Sequence, residues 1–544
     1  MGFANFKTDI NVIKSNFKVL IWMLAISYIL YSFFINNNLV NTYDGLWRGN
    51  SHIANEWEIM QGRFFIPVLS ILRLGIAIEP LISILSLFYL CFGLYLILII
   101  FNMVNKRGVL LSLLTISSST VCIWLSYRYL STTYSFGFLF AVIASYILIR
   151  FEETNILSYI LKLLLSSILI MLSLALYQTQ IAVTLLIVMM YFIIYTYRNQ
   201  NKSLYIMLKP LIDLVISVVI GMIIYKCLWD IVLKFMHIKA AAYQGANNLH
   251  FTDMLYNIPN KFINSFINFH SYFSGKSFKS DALNLYIVGW LLIIIAIMLM
   301  FYKLIKKRVT LLELFIVVVD LLLIPSVLSI TTFLAVTTEV VAPQGTIGFA
   351  TLFTIIGMAL FNLYDFNLYK KSTIAILAVF MIILYGRLNQ ILVDTFAMYD
   401  YRNASISLAN QIISRIDTLY CQNPDSEINP TNNVVFLGIP VKNELFKVTT
   451  HSFRRLNNRD CINSFAKVGY FRGNVGDEDL ISCLQFSYEG LIDKIMGIDY
   501  VADNGKYIRA AYLYDDEIFK SRKPFPSYES IFDIDGTVYV KVSN

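Results

Sequence analysis

Charge is scarce in this sequence. Only 14% of the 544 residues are Asp, Glu, Lys or Arg, whereas soluble domains carry about 25%; a soluble globular protein is excluded. Cysteine is scarce too, with six residues scattered and none in a C-x-x-C spacing, which removes zinc and dithiol redox motifs. The chain has no P-loop, no G-x-G-x-x-G and no H-E-x-x-H, so the common nucleotide and metalloprotease signatures are missing. No segment shows the ten-residue alternation of an outer-membrane barrel. Spanning helices are then the one backbone solution left in lipid.

What is present is apolar: 57% of residues are hydrophobic, mostly in runs of about 18–22, the length that crosses roughly 30 Å of hydrocarbon. The runs predict spans at 17–35, 80–102, 109–127, 133–150, 157–176, 179–196, 207–229, 284–303, 310–333, 346–363 and 372–391, about eleven in all. The formal charge of +8 does not sit on one soluble segment, so nucleic acid is not an expected partner. Instead, Lys106/Arg107, Arg150, Arg198/Lys202, Lys303/Lys306/Lys307/Arg308 and Lys370/Lys371 fall in alternate loops, on the side of Lys7, Lys14 and Lys18. Basic loops stay inside, so the N-terminus is expected in the cytoplasm and the C-terminal region outside. The first span is too long for a signal peptide and Asn36–Asn41 lacks a small-x-small cleavage site; a retained anchor is expected. Loops on the basic side are too short to hold a nucleotide-binding fold or a nucleotide-sugar D-x-D domain.

The opposite loops are polar, aromatic and sometimes long: 36–79, Ser126–Thr132, Tyr177–Gln180, 230–283, Thr337–Thr346 and everything after about 391. Within the first, Ile66–Ile76 is apolar but too short to span, which fits an interfacial or re-entrant helix. Residues 395–544 change character. Asp400–Tyr420 has helical periodicity, with Ile406, Leu408, Ile412, Ile413 and Ile416 on one side. Val434–Ile439, Tyr507–Tyr514 and Val538–Val542 read as strands. Cys421, Cys461 and Cys483 allow at most one disulfide there. The expected architecture is an all-α polytopic membrane domain over 1–394, with an active outer loop 36–79, followed by a small extracytoplasmic α/β domain over 395–544.

Chemistry is expected on that outer side. Asp44 stands just beyond the first span, and a partly dry carboxylate makes a competent general base. Glu56 and Glu58 flank Trp57. Arg48, Arg63, Arg73 and Arg128 lie in outer loops, where a planar guanidinium suits paired phosphate oxygens; Arg387, at the end of the last span, is a further candidate. Tyr177 and Gln178 form a tight polar turn between two spans, and Glu339 and Gln344 flank Pro343; such groups hydrogen-bond hydroxylated ligands. Asp320, deep in a span, is expected to bond a neighbouring helix. Lys226, Asp230 and Lys234 have i, i+4 spacing.

Asn41-Thr-Tyr-Asp44-Gly-Leu-Trp-Arg48, then Gln61-Gly-Arg63-Phe-Phe, resemble the first outer loop of the bacterial type II glucosyltransferase (Gtr) family, and Tyr177-Gln178 resembles a Tyr-Gln element between its middle spans. The likeness covers roughly residues 17–420. It departs where Asn41 or Tyr43 replaces an acid often found beside Asp44. The resemblance implies a GT-C enzyme working on the outer face of the bacterial cytoplasmic membrane. It would transfer a sugar, glucose by the family's name, from a polyprenyl phosphate to a surface glycan such as an O-antigen or wall polysaccharide. Asp44 would be the base of an inverting displacement, and Arg63 with Arg48 or Arg128 would hold the donor phosphate. Tyr177, Gln178, Glu56, Glu339 and Gln344 would meet sugar or acceptor. No organic cofactor is implied, although some members of the class use a divalent metal. Membrane lipid, a flippase and an enzyme that charges the lipid carrier are the implied partners. The rival readings are a lipid-linked sugar flippase, which calls for helices broken near the midplane, and a polysaccharide polymerase.

Overall fold

The computed structural model describes residues 4–40, 45, 51–199, 203–241, 257–274, 283–334, 345–364, 371–438, 440–450, 452, 484–514 and 517–544. The helices are α1 (Ala4–Ser15), α2 (Phe17–Asn36), α3 (Glu56–Met60), α4 (Ile66–Leu72), α5 (Leu81–Ile100), α6 (Lys106–Ile116), α7 (Ser119–Ser126), α8 (Arg128–Arg150), α9 (Ile156–Leu176), α10 (Ile181–Arg198) and α11 (Leu204–Phe235). Then come α12 (Ile258–Phe273), α13 (Leu283–Lys306), α14 (Leu311–Leu328), α15 (Ile330–Leu334), α16 (Ile347–Leu363) and α17 (Lys371–Ile416), and finally α18 (Asn504–Tyr514) and α19 (Glu517–Ser521). Nine described helices are long and apolar enough to cross a membrane, and α6 with α7 makes a tenth as a bent pair. The shorter α16 lies where the sequence places one more. The chain is a polytopic helical membrane protein.

Hydrophobic runs set the spans, but lipid offers no hydrophobic drive between helices, so small hydroxyls and close packing join them. Ser86 Oγ donates to Ser131 O at 2.9 Å and Thr184 Oγ1 to Ala141 O at 2.9 Å. Ser173 Oγ donates to Gly137 O at 2.9 Å and Thr354 Oγ1 to Leu111 O at 2.7 Å. The α16 helix is enclosed by α6, α10 and α13. At the basic-loop end, buried Lys162 reaches Asp213 at 2.6 Å and Glu153 at 2.8 Å. That network ties α9 to α11 with its charges compensated.

Three expectations need correction. The span drawn at 109–127 is not continuous: α6 and α7 meet at 59°, with neither Gly nor Pro at the break. Ser117, Ser118, Ser119 and Thr120 stand there instead, and hydroxyls that compete for backbone bonds weaken a helix. The helix of the last span does not stop near 391; α17 runs 46 residues unbroken, across position 394, because its buried stripe continues through Ala397, Met398, Tyr401, Leu408 and Ile412. Tyr507–Tyr514 is helix, not strand: Lys506 N donates to Asp503 Oδ1 at 3.0 Å at its start, and Tyr507 and Ala510, three apart, are both buried. By contrast, a short apolar helix is present where one was expected, α4, leaving Val68, Ile71 and Leu72 exposed.

After α17, β1 (Val434–Leu437), β2 (Ile531–Ile534) and β3 (Thr537–Lys541) form one sheet of order β1-β3-β2. β1 runs parallel to β3, and β2 antiparallel to it. All four β1 residues are buried, as befits a short strand covered on both faces. Cys421 is a free thiol, 3.5 Å from the Tyr500 hydroxyl; Cys461 and Cys483 lie outside the described residues.

Asp493 Oδ1 accepts the amides of Tyr500 at 3.2 Å and Val501 at 3.3 Å. Burial nonetheless lifts its carboxyl to about 7, with Asp499 and Glu489 adding to the rise. A raised folded-state value means a contribution complete in acid and lost as pH climbs from about 4 to about 7. Hydrogen exchange in peptides covering β1 and β3 is therefore expected to quicken between about pH 4 and about 7, beyond the intrinsic base-catalysed increase. Asp493→Asn, which keeps the acceptor, should flatten that excess; an unchanged excess in the variant would contradict the assignment.

Candidate functional site

The loop 51–79 is a built structure. Ser51 pairs with Ile76 in an antiparallel bridge, and His52 N donates to Gly75 O at 2.8 Å, so the two ends of the loop meet. Asn55 caps α3: its side chain accepts from Trp57 N at 3.1 Å, while Asn55 N donates to Glu58 Oε2 at 3.0 Å. Glu58 is thereby buried in a capping box, the arrangement that satisfies orphan helix amides reciprocally. Its other oxygen lies 3.6 Å from His52 Nε2. Glu56, one turn-face away, is exposed.

The bundle grips this loop through its carbonyls. Trp229 Nε1 donates to Ile59 O at 2.7 Å, Gln178 Nε2 to Gln61 O at 2.8 Å and Tyr225 Oη to Gly62 O at 2.9 Å. Phe65 N donates to Ala175 O at 3.1 Å. Arg73 Nη1 donates to Tyr129 O at 3.0 Å and Thr132 Oγ1 at 2.8 Å. Gly62 is required where it stands: its φ is +82°, and a Cβ would come within 2.1 Å of Tyr225 Oη. Left-handed backbone is a glycine property.

This docking presents Arg63 to Tyr177, whose ring centroid lies 4.9 Å from the guanidinium carbon. Tyr177 in turn packs edge-on against Tyr134 at 4.8 Å. Among the described residues, Arg63 Nε is buried without a hydrogen-bond partner. A cation held flat on an aromatic face with donors to spare suits an anion. Arg128 stands at the start of the helix whose first turn Arg73 clamps. It is buried and gives Nη1 to Asn38 Oδ1 at 2.6 Å. Arg73 keeps its charge at neutral pH even though burial pulls it down to about 10.

One acid here escaped sequence reading. Glu79 Oε1 accepts from Ser83 Oγ at 2.7 Å. Among the described residues, its Oε2 is buried without a hydrogen-bond partner. Burial pushes this carboxyl above the usual range, opposed by the Ser83 hydroxyl and the Arg128 charge. Position beside Pro80 gave no signal; the Ser83 four residues on, one helical turn away, is the cue that was available.

Asp44, Arg48, Glu339 and Gln344 lie outside the described residues. Arg63, Tyr177 and Gln178 are brought together, with Gln178 holding the turn before Arg63. Arg387 is placed elsewhere, donating to Leu114 O and lying 5.1 Å from the Phe353 ring centroid. Lys226 pairs with Asp230 at 2.6 Å. Asp320 does not show the interhelical bond expected of it: it is buried, and its Oδ2 has no partner among the described residues. Also among the described residues, no three His, Cys, Asp or Glu side chains are grouped to hold a metal ion.

A family profile described as Glucosyl transferase GtrII matches residues 31–355, a stretch that contains the whole loop, the Tyr177–Gln180 turn and the broken span. No curated protein and no solved structure matches the chain.

Gly62→Ala should loosen the loop, since a left-handed non-glycine residue costs about 1–2 kcal/mol before the Tyr225 contact is counted. Limited proteolysis is expected to cut 51–79 faster while the spans stay intact. Cleavage at the wild-type rate would show that the loop is held by something else.

Proposed function

The chain belongs to the GtrII glucosyl transferase family, and from that premise we propose that it moves a glucosyl group from a polyprenyl phosphate to a surface glycan on the outer face of the bacterial cytoplasmic membrane. The observation that carries this reading is Arg63, pinned over Tyr177 with a buried N–H still free among the described residues. It lies on the face opposite the Lys162 network and the basic loops. Positive-inside orientation makes that face exoplasmic, where lipid-linked donors are presented and cytosolic nucleotide sugars are not.

In the proposed step an acceptor hydroxyl oxygen attacks the anomeric carbon. Asp44 takes the hydroxyl proton as the new C–O bond forms. The bond from the anomeric carbon to the phosphate oxygen breaks, and polyprenyl phosphate leaves with that electron pair, so configuration inverts. Charge accumulates on the departing phosphate, and preorganised donors at that position are worth most where water is excluded. Arg63, with Arg48 and Arg128, fills that role, and Arg63 Nε is a donor still in hand among the described residues. Carboxylate catalysis at an oxocarbenium-like centre follows the same logic as in glycoside hydrolysis. Tyr177 supplies an aromatic wall, and the Glu56 and Glu339–Gln344 segments are assigned to the acceptor side.

A second reading, movement of the lipid-linked sugar across the membrane, is favoured by one observation, the α6–α7 break, because transporters use discontinuous helices.

Membranes containing the protein, supplied with polyprenyl-phosphate-linked labelled glucose and acceptor glycan, are expected to transfer label. Asp44→Asn should lower the rate about 10²–10⁴-fold, the range for a lost general base. Unchanged transfer by the variant would remove Asp44 as base, and label crossing the bilayer without transfer would favour the second reading.

A further inference from the structure

At the α6–α7 break the two half-helices are treated unequally. The carbonyl end of α6 is served: Tyr31 Oη donates to Ile116 O at 2.7 Å, and Arg387 Nη1 donates to Leu114 O. The amide end of α7 is served only in part, Val121 N donating to Ser118 O at 3.1 Å. Ser118 occupies the N-cap without making a side-chain cap bond. Among the described residues, the hydroxyls of Ser117 and Ser118 have no hydrogen-bond partner, although each residue is only 1% exposed. A helix start carries orphan N–H groups and a partial positive charge. Buried hydroxyls left unmade are costly unless something fills the site.

Arg387 adds a full charge to this place. Its charged and polar neighbours are Tyr272 and Tyr31, and no carboxylate pairs with it among the described residues. Gln390, three positions along α17, donates to Ser119 Oγ at 3.1 Å. Thr120 and Thr346 hydroxyls meet at 2.7 Å. Asp394, one turn beyond Gln390, is buried and faces Cys122 further along α7. A cation inside a spanning bundle without an acid partner marks a working position.

We propose that this break is an oxyanion site that takes a phosphate group, with Arg387 supplying the charge and Ser117, Ser118 and the first α7 amides supplying neutral donors. The assignment rests on the transferase reading, in which Arg63 holds the phosphate during transfer and the polyprenyl phosphate then released is the ligand offered to this second site. Helix starts receive phosphate in this way, and a desolvated guanidinium strengthens each bond. The site takes phosphate either on a lipid or free in solution.

The full chain in lipid nanodiscs would be titrated with polyprenyl phosphate, neutral polyprenol and inorganic phosphate, with binding read by native mass spectrometry. Polyprenyl phosphate is expected to bind at least about tenfold more tightly than polyprenol, a contrast set by the charge-assisted bonds. Arg387→Gln should remove most of that preference, and Ser117→Ala with Ser118→Ala part of it. The serine pair carries the test should the arginine variant fail to fold. Competition by inorganic phosphate that depends on Arg387 would assign free phosphate as a ligand; its absence would assign the lipid form. Equal binding of polyprenol, or variants that bind as the wild type does, would overturn the site. Transfer of glucose by a protein whose binding ignores these residues would sink this site alone. Arg387-dependent binding in a chain that transfers nothing would sink the transferase reading instead.

Discussion

Carbonyls at the turn before Arg63 have donors on other helices, and the geometry of the loop face follows from that. Ile59 O, Gln61 O and Gly62 O are taken by Trp229, Gln178 and Tyr225. Each net bond contributes only about 1 kcal/mol. Together they fix a segment that would otherwise lie loose on the membrane surface, and they fix it with Arg63 against Tyr177. The docking needs Gly62, because the same Tyr225 hydroxyl that holds the carbonyl occupies the space of a side chain.

The two ends of the bundle handle charge differently. On the basic-loop end, Lys162 meets Asp213 and Glu153 at 2.6–2.8 Å and Lys209 also pairs with Glu153, two cations for two carboxylates; a buried network of that kind is costly to break but asks for no ligand. On the other end, Arg63 keeps a donor unspent and Glu79 an acceptor, and Arg387 lies deeper without an acid of its own among the described residues. Incomplete satisfaction is unusual in a folded protein. Arg63 Nε and Glu79 Oε2 stand on the loop face itself, where an anionic substrate would meet them.

The spans were legible in the sequence because apolar length is a nearly unambiguous signal in lipid, and the described helices fall where the runs do. The short helix at Ile66–Leu72 was legible for the same reason, being apolar and too short to span. The break at Ser117–Ser118 was not, since no Gly or Pro announces it and the run of hydroxyls reads as a weak interruption of an apolar stretch. The α18 helix was misread because Tyr507–Tyr514 carries three tyrosines and Ile508 over a length that fits either element. At the site, Arg63, Tyr177 and Gln178 were singled out one by one. Their assembly was not visible, because Gln178 meets Gln61 across 117 positions and Tyr225 meets Gly62 across 163. No local pattern encodes such contacts. Glu79 was passed over since its neighbour Pro80 and the apolar run beyond it looked like the plain start of a span.

The central claim is that the Arg63–Tyr177 face receives a lipid-borne phosphate sugar. Its most direct test is photocrosslinking with a polyprenyl-phosphate glucose that carries a diazirine near the sugar, followed by peptide mapping. The account predicts label in peptides from 51–79 and around Tyr177, lost when excess unmodified donor competes. Label confined to the basic loops, such as Lys303–Arg308, or undiminished by competitor, would contradict it.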